Sequence, residues 1–229
     1  MFGKLLKWEF RETVPLYGML YLFVILTMLG AGWSGQMHSV TSADIMITIF
    51  MLIYLASVAV IFITPIWRYY HGIYGRRGYL TMTLPVLAKD IVLTKFLTAV
   101  FWLFASVLVI IATVLFLLKD SGIAIFSSKD LSILAMAAVH YLALFFFIIS
   151  IGQMFHFKKG NIIIMVIAYF LLSKVSNFVS GQIGMLLLVW FDQLGHASFD
   201  FMLMLSAVII FVPIYLGGSI WIVSKKVNI

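Results

Sequence analysis

The sequence predicts an all-α integral membrane protein, a six-helix transmembrane bundle, on three observations. Of the 229 residues, 64% are hydrophobic and only 10% are charged, where an ordinary soluble domain carries about a quarter charged residues. The apolar residues gather into six long stretches, each matching the roughly 20 residues that a helix needs to cross a hydrocarbon core. Lys and Arg fall on alternate connections between those stretches, which is how cytoplasmic loops are marked. A transmembrane β-barrel would need short alternating segments instead, and none is present.

The spans are expected at 14–33, 45–67, 96–118, 131–155, 161–180 and 201–223. With the N-terminus inside, the cytoplasmic cations are Lys4, Lys7, Arg11, Arg68, Arg76, Arg77, Lys89, Lys95, Lys158, Lys159, Lys225 and Lys226; only Lys119 and Lys129 fall outside. A five-span layout would expel Lys225 and Lys226, so the even number is also the electrostatically sound one. The prediction is a multi-pass plasma-membrane protein with both termini cytoplasmic. Its net charge of +7 is then a topology signal, and nucleic acid is not an expected partner. The outer connections, 34–44, 119–130 and 191–200, are short and carry Asp44, Asp120, Asp130, Asp192 and Asp200. No repeat or linker divides the chain, so 1–229 reads as one membrane domain. Without cysteine there are no disulfides and no thiolate metal sites. Lys4, Lys7 and Arg11 precede an apolar run too long for a signal peptide and without a small-residue cleavage site.

Residues 1–13 read as an amphipathic helix. Phe2, Leu5, Leu6 and Phe10 recur at helical spacing while Lys4, Lys7 and Arg11 take another face, a pattern that lies in the interface with its cations near lipid headgroups. The alternative is a basic tail that only sets topology.

The connection 68–95 is the one sizeable cytoplasmic segment. Its first half holds Tyr69, Tyr70, Tyr74 and Tyr79 among Arg68, Arg76 and Arg77, punctuated by Gly72, Gly75 and Gly78. The stretch 79–84 is long enough for about one and a half helical turns, and Pro85 ends it, placed to open the helix that leads into the third span. Tyrosines that merely anchor a positive-inside loop at the interface are the competing reading.

Two segments carry a family resemblance. Gly78-Tyr-Leu-Thr-Met-Thr-Leu-Pro-Val86, followed by Lys95 at the start of a span, resembles the "GYL…LPV…K" segment that follows the second span in permease subunits of ABC-2-type transporters. Leu5-Leu-Lys-Trp-Glu-Phe10 is similar to that family's opening helix. The resemblance implies that 1–13, through Leu5, Leu6, Lys7, Phe10 and Arg11, is an elbow helix. It implies that 74–84 is a coupling helix docking on a separate ATP-binding subunit. Tyr79, Leu80 and Leu84 would enter the groove of that subunit, Arg76 and Arg77 would meet its rim or lipid headgroups, and Tyr74 and Pro85 would bound the element. It also implies a second permease copy, identical or not, with ATP and Mg held by the partner ATPase and no cofactor on this chain.

The fifth apolar stretch, 161–190, is too long for one simple crossing and too polar for a lipid-facing helix: it contains Ser173, Lys174, Ser176, Asn177, Ser180, Gly181, Gln182 and Gly184. A charge at that depth faces a wet cavity, pairs, or snorkels. Lys174, Asn177, Ser180 and Gln182 either line a translocation path or, for Lys174, reach the outer interface from an early helix end. The family's re-entrant extracellular gate, between spans five and six, would suit 181–190 and absorb the extra length.

Other chemistry is poorly supported. His38, His71, His140, His156 and His196 are scattered, no span holds an acidic cluster, and no phosphate-binding glycine loop is present. Ser173 and Lys174 are adjacent and do not face each other on a helix. Phe101, Trp102, Phe104 and 145–147 read as packing. The expected function is the non-catalytic transmembrane subunit of an ATP-driven exporter for an amphipathic or apolar substrate, such as a small antimicrobial or toxin-type peptide. A self-contained secondary transporter or channel is the alternative, and it should show intramembrane acids or inverted repeats.

Overall fold

In hydrocarbon every backbone N–H and C=O needs an internal partner, so an apolar stretch stays helical until it reaches a polar connection. A computed structural model of the chain describes residues 2–34, 40–73, 87–117, 128–154, 161–191 and 198–227. They form helices α1 (Phe2–Ser34), α2 (Val40–Ile73), α3 (Ala88–Leu117), α4 (Ser128–Met154), α5 (Asn161–Phe191) and α6 (Phe199–Val227). All six are long and apolar enough to cross a membrane, and the described residues contain no strand.

The helices overrun the expected spans in three informative places. α1 runs unbroken from Phe2, so the segment expected as a separate elbow is the first part of the same helix. Pro15 lies inside it and removes only the bond to the Arg11 carbonyl. α2 and α3 take up both ends of the expected 68–95 loop, and α3 opens at Ala88, three residues beyond the proline expected to start it. α5 continues through all of its 31 residues to Phe191, about 46 Å at 1.5 Å per residue. The expected end at 180 and re-entry over 181–190 are therefore corrected to continuous helix. Unwinding there would orphan backbone groups, and Gly is well tolerated in membrane helices.

Contacts divide the chain into two units, one comprising Gly3–Pro65 and Thr98–Ala124, the other Met1–Phe2, Ile66–Leu97 and Ile125–Ile229. The core of the first unit gathers Tyr17, Val24, Tyr54 and Ile61, with Leu20, Tyr21, Trp102 and Val109 packed against them. Trp102 of α3 is its central side chain. The indole stacks on Tyr17 at 4.7 Å between ring centroids and 2° between planes. Its Nε1–H donates to Thr13 Oγ1 at 2.8 Å, and its carbonyl accepts from the Tyr21 hydroxyl at 2.8 Å and from Ser106 at 2.6 Å.

In the second unit α6 packs against both α4 and α5, which also touch each other. Helices in lipid gain nothing from hydrophobicity and associate through close backbone approach and hydrogen bonds. Both devices are present. A Cβ on Gly184 of α5 would lie 3.0 Å from the backbone N and Cα of Leu203 on α6, so the two backbones nearly touch. One turn away, Ser206 Oγ donates to the Ser180 carbonyl at 3.0 Å. On the α4 side, a Cβ on Gly218 would overlap the ring of Phe147, which stacks on Tyr215 at 5.5 Å.

Candidate functional site

Residues 74–86 lie outside the described residues, and with them Tyr74, Arg76, Arg77, Tyr79, Leu80, Leu84 and Pro85. Their two flanks are described, both within the second unit. The last turns of α2 divide their aromatics by face. Tyr69 is 1% exposed, its ring stacked on Phe146 at 3.8 Å and its hydroxyl 2.9 Å from Ser150 Oγ. Trp67, Tyr70 and His71 stay at the surface. The His71 ring lies 4.2 Å from that of Trp67, with Nδ1 3.1 Å from the Trp67 carbonyl. At the C-terminal end of α6 the Lys225 ammonium sits over the Trp221 ring at 4.0 Å.

Just before α3 stands Leu87, 61% exposed, whose carbonyl accepts from Asp90 N–H at 2.9 Å. Asp90 in the first turn suits the positive end of the helix dipole. Ala88, Ile91 and Val92 are buried and fix this end of α3. Lys95 then lies across the last turn of α2. A Cβ on Gly72 would come 3.0 Å from its Cε and 3.1 Å from its Nζ. The cation therefore stands at the C-terminal, negative end of α2, close against Gly72. The two flanks of 74–86 are thus held side by side, with Tyr69 tying the α2 flank to α4.

The Tyr69 pin gives the first prediction. Tyr69→Phe keeps the stack on Phe146 and deletes the hydroxyl that bonds Ser150. Such bonds average about 0.6 kcal/mol in membrane helices. The variant is expected to lose about that much in an SDS titration from detergent micelles. Tyr69→Ala, which also loses the stack, is expected to lose clearly more.

The candidate path residues are not brought together. Ser180 is buried against α6 and Asn177 is half-buried, while Lys174 and Gln182 are exposed on α5. Among the elbow candidates, Leu5, Leu6 and Phe10 are half-buried and Lys7 and Arg11 exposed. Phe10 meets Phe101 edge-on at 4.9 Å. The most buried face of that segment, however, carries Glu9 and Thr13. Their spacing to Tyr17 gives a polar start to a stripe whose later members are apolar, and an apolar-periodicity reading passes over it.

A buried polar seam in the second unit was also missed. His140 on α4 is 1% exposed, with Nε2 3.4 Å from Ser176 Oγ on α5 and its ring 5.9 Å from that of Tyr215 on α6. Ser176 directs its single proton to the Ser173 carbonyl at 3.1 Å. Nδ1 makes no hydrogen bond of good geometry, although the Ala207 backbone approaches the ring. The pair joins α4 to α5 across the seam, the kind of interhelical hydrogen bond that holds membrane helices together. The periodic serines 173, 176 and 180 were the available signal, but their partner lies on a different helix. Among the described residues no three of His, Cys, Asp and Glu gather as a metal site.

No protein-family model, curated protein or solved structure matches this chain.

Proposed function

We propose that this chain is the transmembrane subunit of an ATP-driven exporter of the ABC-2 type. It would work with a separate ATP-binding subunit and a second permease copy in the plasma membrane, both of its termini cytoplasmic. The observation that carries the reading is the segment 78–86, Gly-Tyr-Leu-Thr-Met-Thr-Leu-Pro-Val, joining two helix ends that lie side by side where Lys95 passes Gly72. A docking element transmits force only if its base is firm, and this base is anchored through Tyr69 to α4. Six helices of membrane-spanning length and the positive-inside pattern of the cations support the layout. Exposed Trp8, Lys7 and Arg11 on the first turns of α1 suit the headgroup level at which this helix would enter the membrane.

In this mechanism the ATPases change their separation on binding and hydrolysing ATP with Mg. The segment 74–84, seated on them through Tyr79, Leu80 and Leu84, passes that displacement to α2 and α3. Nucleotide drives transport only if it favours one of two helix arrangements over the other. The substrate moved is amphipathic or apolar, a small antimicrobial or toxin-type peptide being a fitting example.

The test is Leu84→Asp. An unpaired carboxylate placed in an apolar groove is expected to weaken ATPase association by more than about tenfold, or 1.4 kcal/mol, while membrane insertion is unchanged. Co-purification of the ATPase at wild-type levels would remove the docking assignment.

A further inference from the structure

Helices in lipid keep their polar side chains where neighbouring helices can bond them. The junction of α4, α5 and α6 collects such side chains from all three: His140 of α4, Ser176 and Ser180 of α5, Ser206 and Tyr215 of α6, every one buried. His140 lies near the middle of α4, about 18 Å from its nearer end. Its ring touches both neighbours. Nε2 is 3.4 Å from Ser176 Oγ, the Ala207 backbone of α6 approaches the ring, and Tyr215, itself within reach of Ser176, has its ring 5.9 Å away. Polar groups placed only for cohesion would be fully bonded. Here His140 Nδ1 and Ser180 Oγ make no hydrogen bond of good geometry.

The imidazole is also the group of this junction whose charge changes near neutral pH. What faces it is neutral: Ser176 from α5, the Ala207 backbone, Phe211 and Tyr215 from α6, and Tyr141 beside it on α4. The carboxylates of α4 and α6, Asp130 and Asp200, stand in the first turns of those helices, and α5 has none. The cation of α5, Lys174, is exposed, and those of α6, Lys225 and Lys226, lie at its far end. α2 and α3 meet α4 further along, through Tyr69 at Ser150 and Phe96 at Phe146. An imidazolium here would have neutral acceptors alone in a site of low dielectric, which is costly. Lipid tails offer the charge nothing better. Water does, and the polar lining gives it a route to the ring once α5 draws away from α4 and α6.

We propose that His140 is a proton-operated latch: the neutral ring holds α5 against α4 and α6, and protonation opens a water-filled cleft lined by Ser176, Ser180, Ser206 and Tyr215. The sign follows from the charge. The latch is closed above the ordinary imidazole range, centred at about pH 6.5, and loosens progressively below it. The device goes beyond the exporter reading and needs no ATPase.

The chain has no cysteine, so a single one can report the opening. Ser180→Cys replaces a buried hydroxyl that makes no hydrogen bond of good geometry, and Leu186→Cys gives an exposed reference on the same helix. The full chain, in nanodiscs of zwitterionic lipid and without ATPase, is treated with N-ethylmaleimide at pH 7.5 and at pH 5.0. Dividing the Ser180→Cys rate by the Leu186→Cys rate cancels the ordinary pH dependence of a thiol. That ratio is expected to rise about 30-fold at pH 5.0, the factor for a ring that takes its proton only in the open state. With His140→Gln or His140→Phe, neither of which can be charged, it is expected to stay level. Gln keeps a hydrogen-bonding group and Phe keeps a ring, so whichever retains the wild-type helical circular dichroism serves as the control. A rise of less than about threefold with His140 present overturns the proposal. So does an equal rise in the substituted chain, which would place the response elsewhere. ATPase association is not read in this experiment, so neither outcome alters the exporter assignment.

Discussion

Gly184→Leu is expected to abolish the packed α5–α6 pair, whereas Gly181→Leu, three positions earlier, is expected to fold normally. The contrast follows from what each new side chain meets. At Gly184 the first added carbon falls 3.0 Å from the Leu203 backbone, and backbone does not rotate away as a side-chain tip would. The helices must separate, which also stretches the Ser206 bond to the Ser180 carbonyl. Overpacking a core costs about 1–3 kcal/mol when neighbours adjust. Here the contact is rigid and lies in a membrane, where close approach is itself the main cohesive term, so the expected loss is at the top of that range, about 3 kcal/mol. At Gly181 the space is open, and leucine restores helix propensity worth about 1 kcal/mol in water. Far-UV circular dichroism during SDS titration separates the two. Equal tolerance of both leucines would mean that α5 and α6 do not cross at Gly184.

Trp102→Ala is the corresponding prediction for the other unit. The substitution removes the stack on Tyr17, worth about 1 kcal/mol, and the indole bond to Thr13, worth about 0.6 kcal/mol. It also removes ring contacts with Phe10, Tyr17 and Tyr21. Together these should cost about 3 kcal/mol, within the range for large-to-small core changes. Trp102→Phe keeps most of the ring contact and should recover more than half of the loss. If Trp102→Ala unfolds at the wild-type SDS fraction, α1 and α3 are not joined through this side chain.

Much of the fold was legible because membrane insertion writes its rules into composition. Length without charge marked each helix, and Lys and Arg placement gave the expected parity. Helix ends were less legible. Residues such as Tyr69 and His71 read as loop by charge and glycine content, but α2 continues through them because Tyr69 has a ring to stack on and a serine to bond. The polarity of α5 was visible, its meaning was not. Ser176 meets His140 of α4 and the Ser180 carbonyl accepts from Ser206 of α6, while Lys174 is exposed, and a linear pattern gives no sign of which side a neighbour takes. His140 was invisible as a structural residue because its partners, Ser176 and Tyr215, come from two other helices. The candidate docking residues 74–85 were read from a motif alone, and the description of their flanks adds only the base on which they stand.

The central claim is that this chain works through an ATPase docked on 74–86, and it is tested most directly by purification. The tagged full chain, expressed with the genes adjacent to its own, is extracted in mild detergent with ATP and Mg and weighed by native mass spectrometry. The account predicts a complex containing a nucleotide-binding ATPase subunit in equal number to permease copies, lost when Leu84 is replaced by Asp. A chain that purifies folded, with its six helices intact and no ATPase bound, would contradict it.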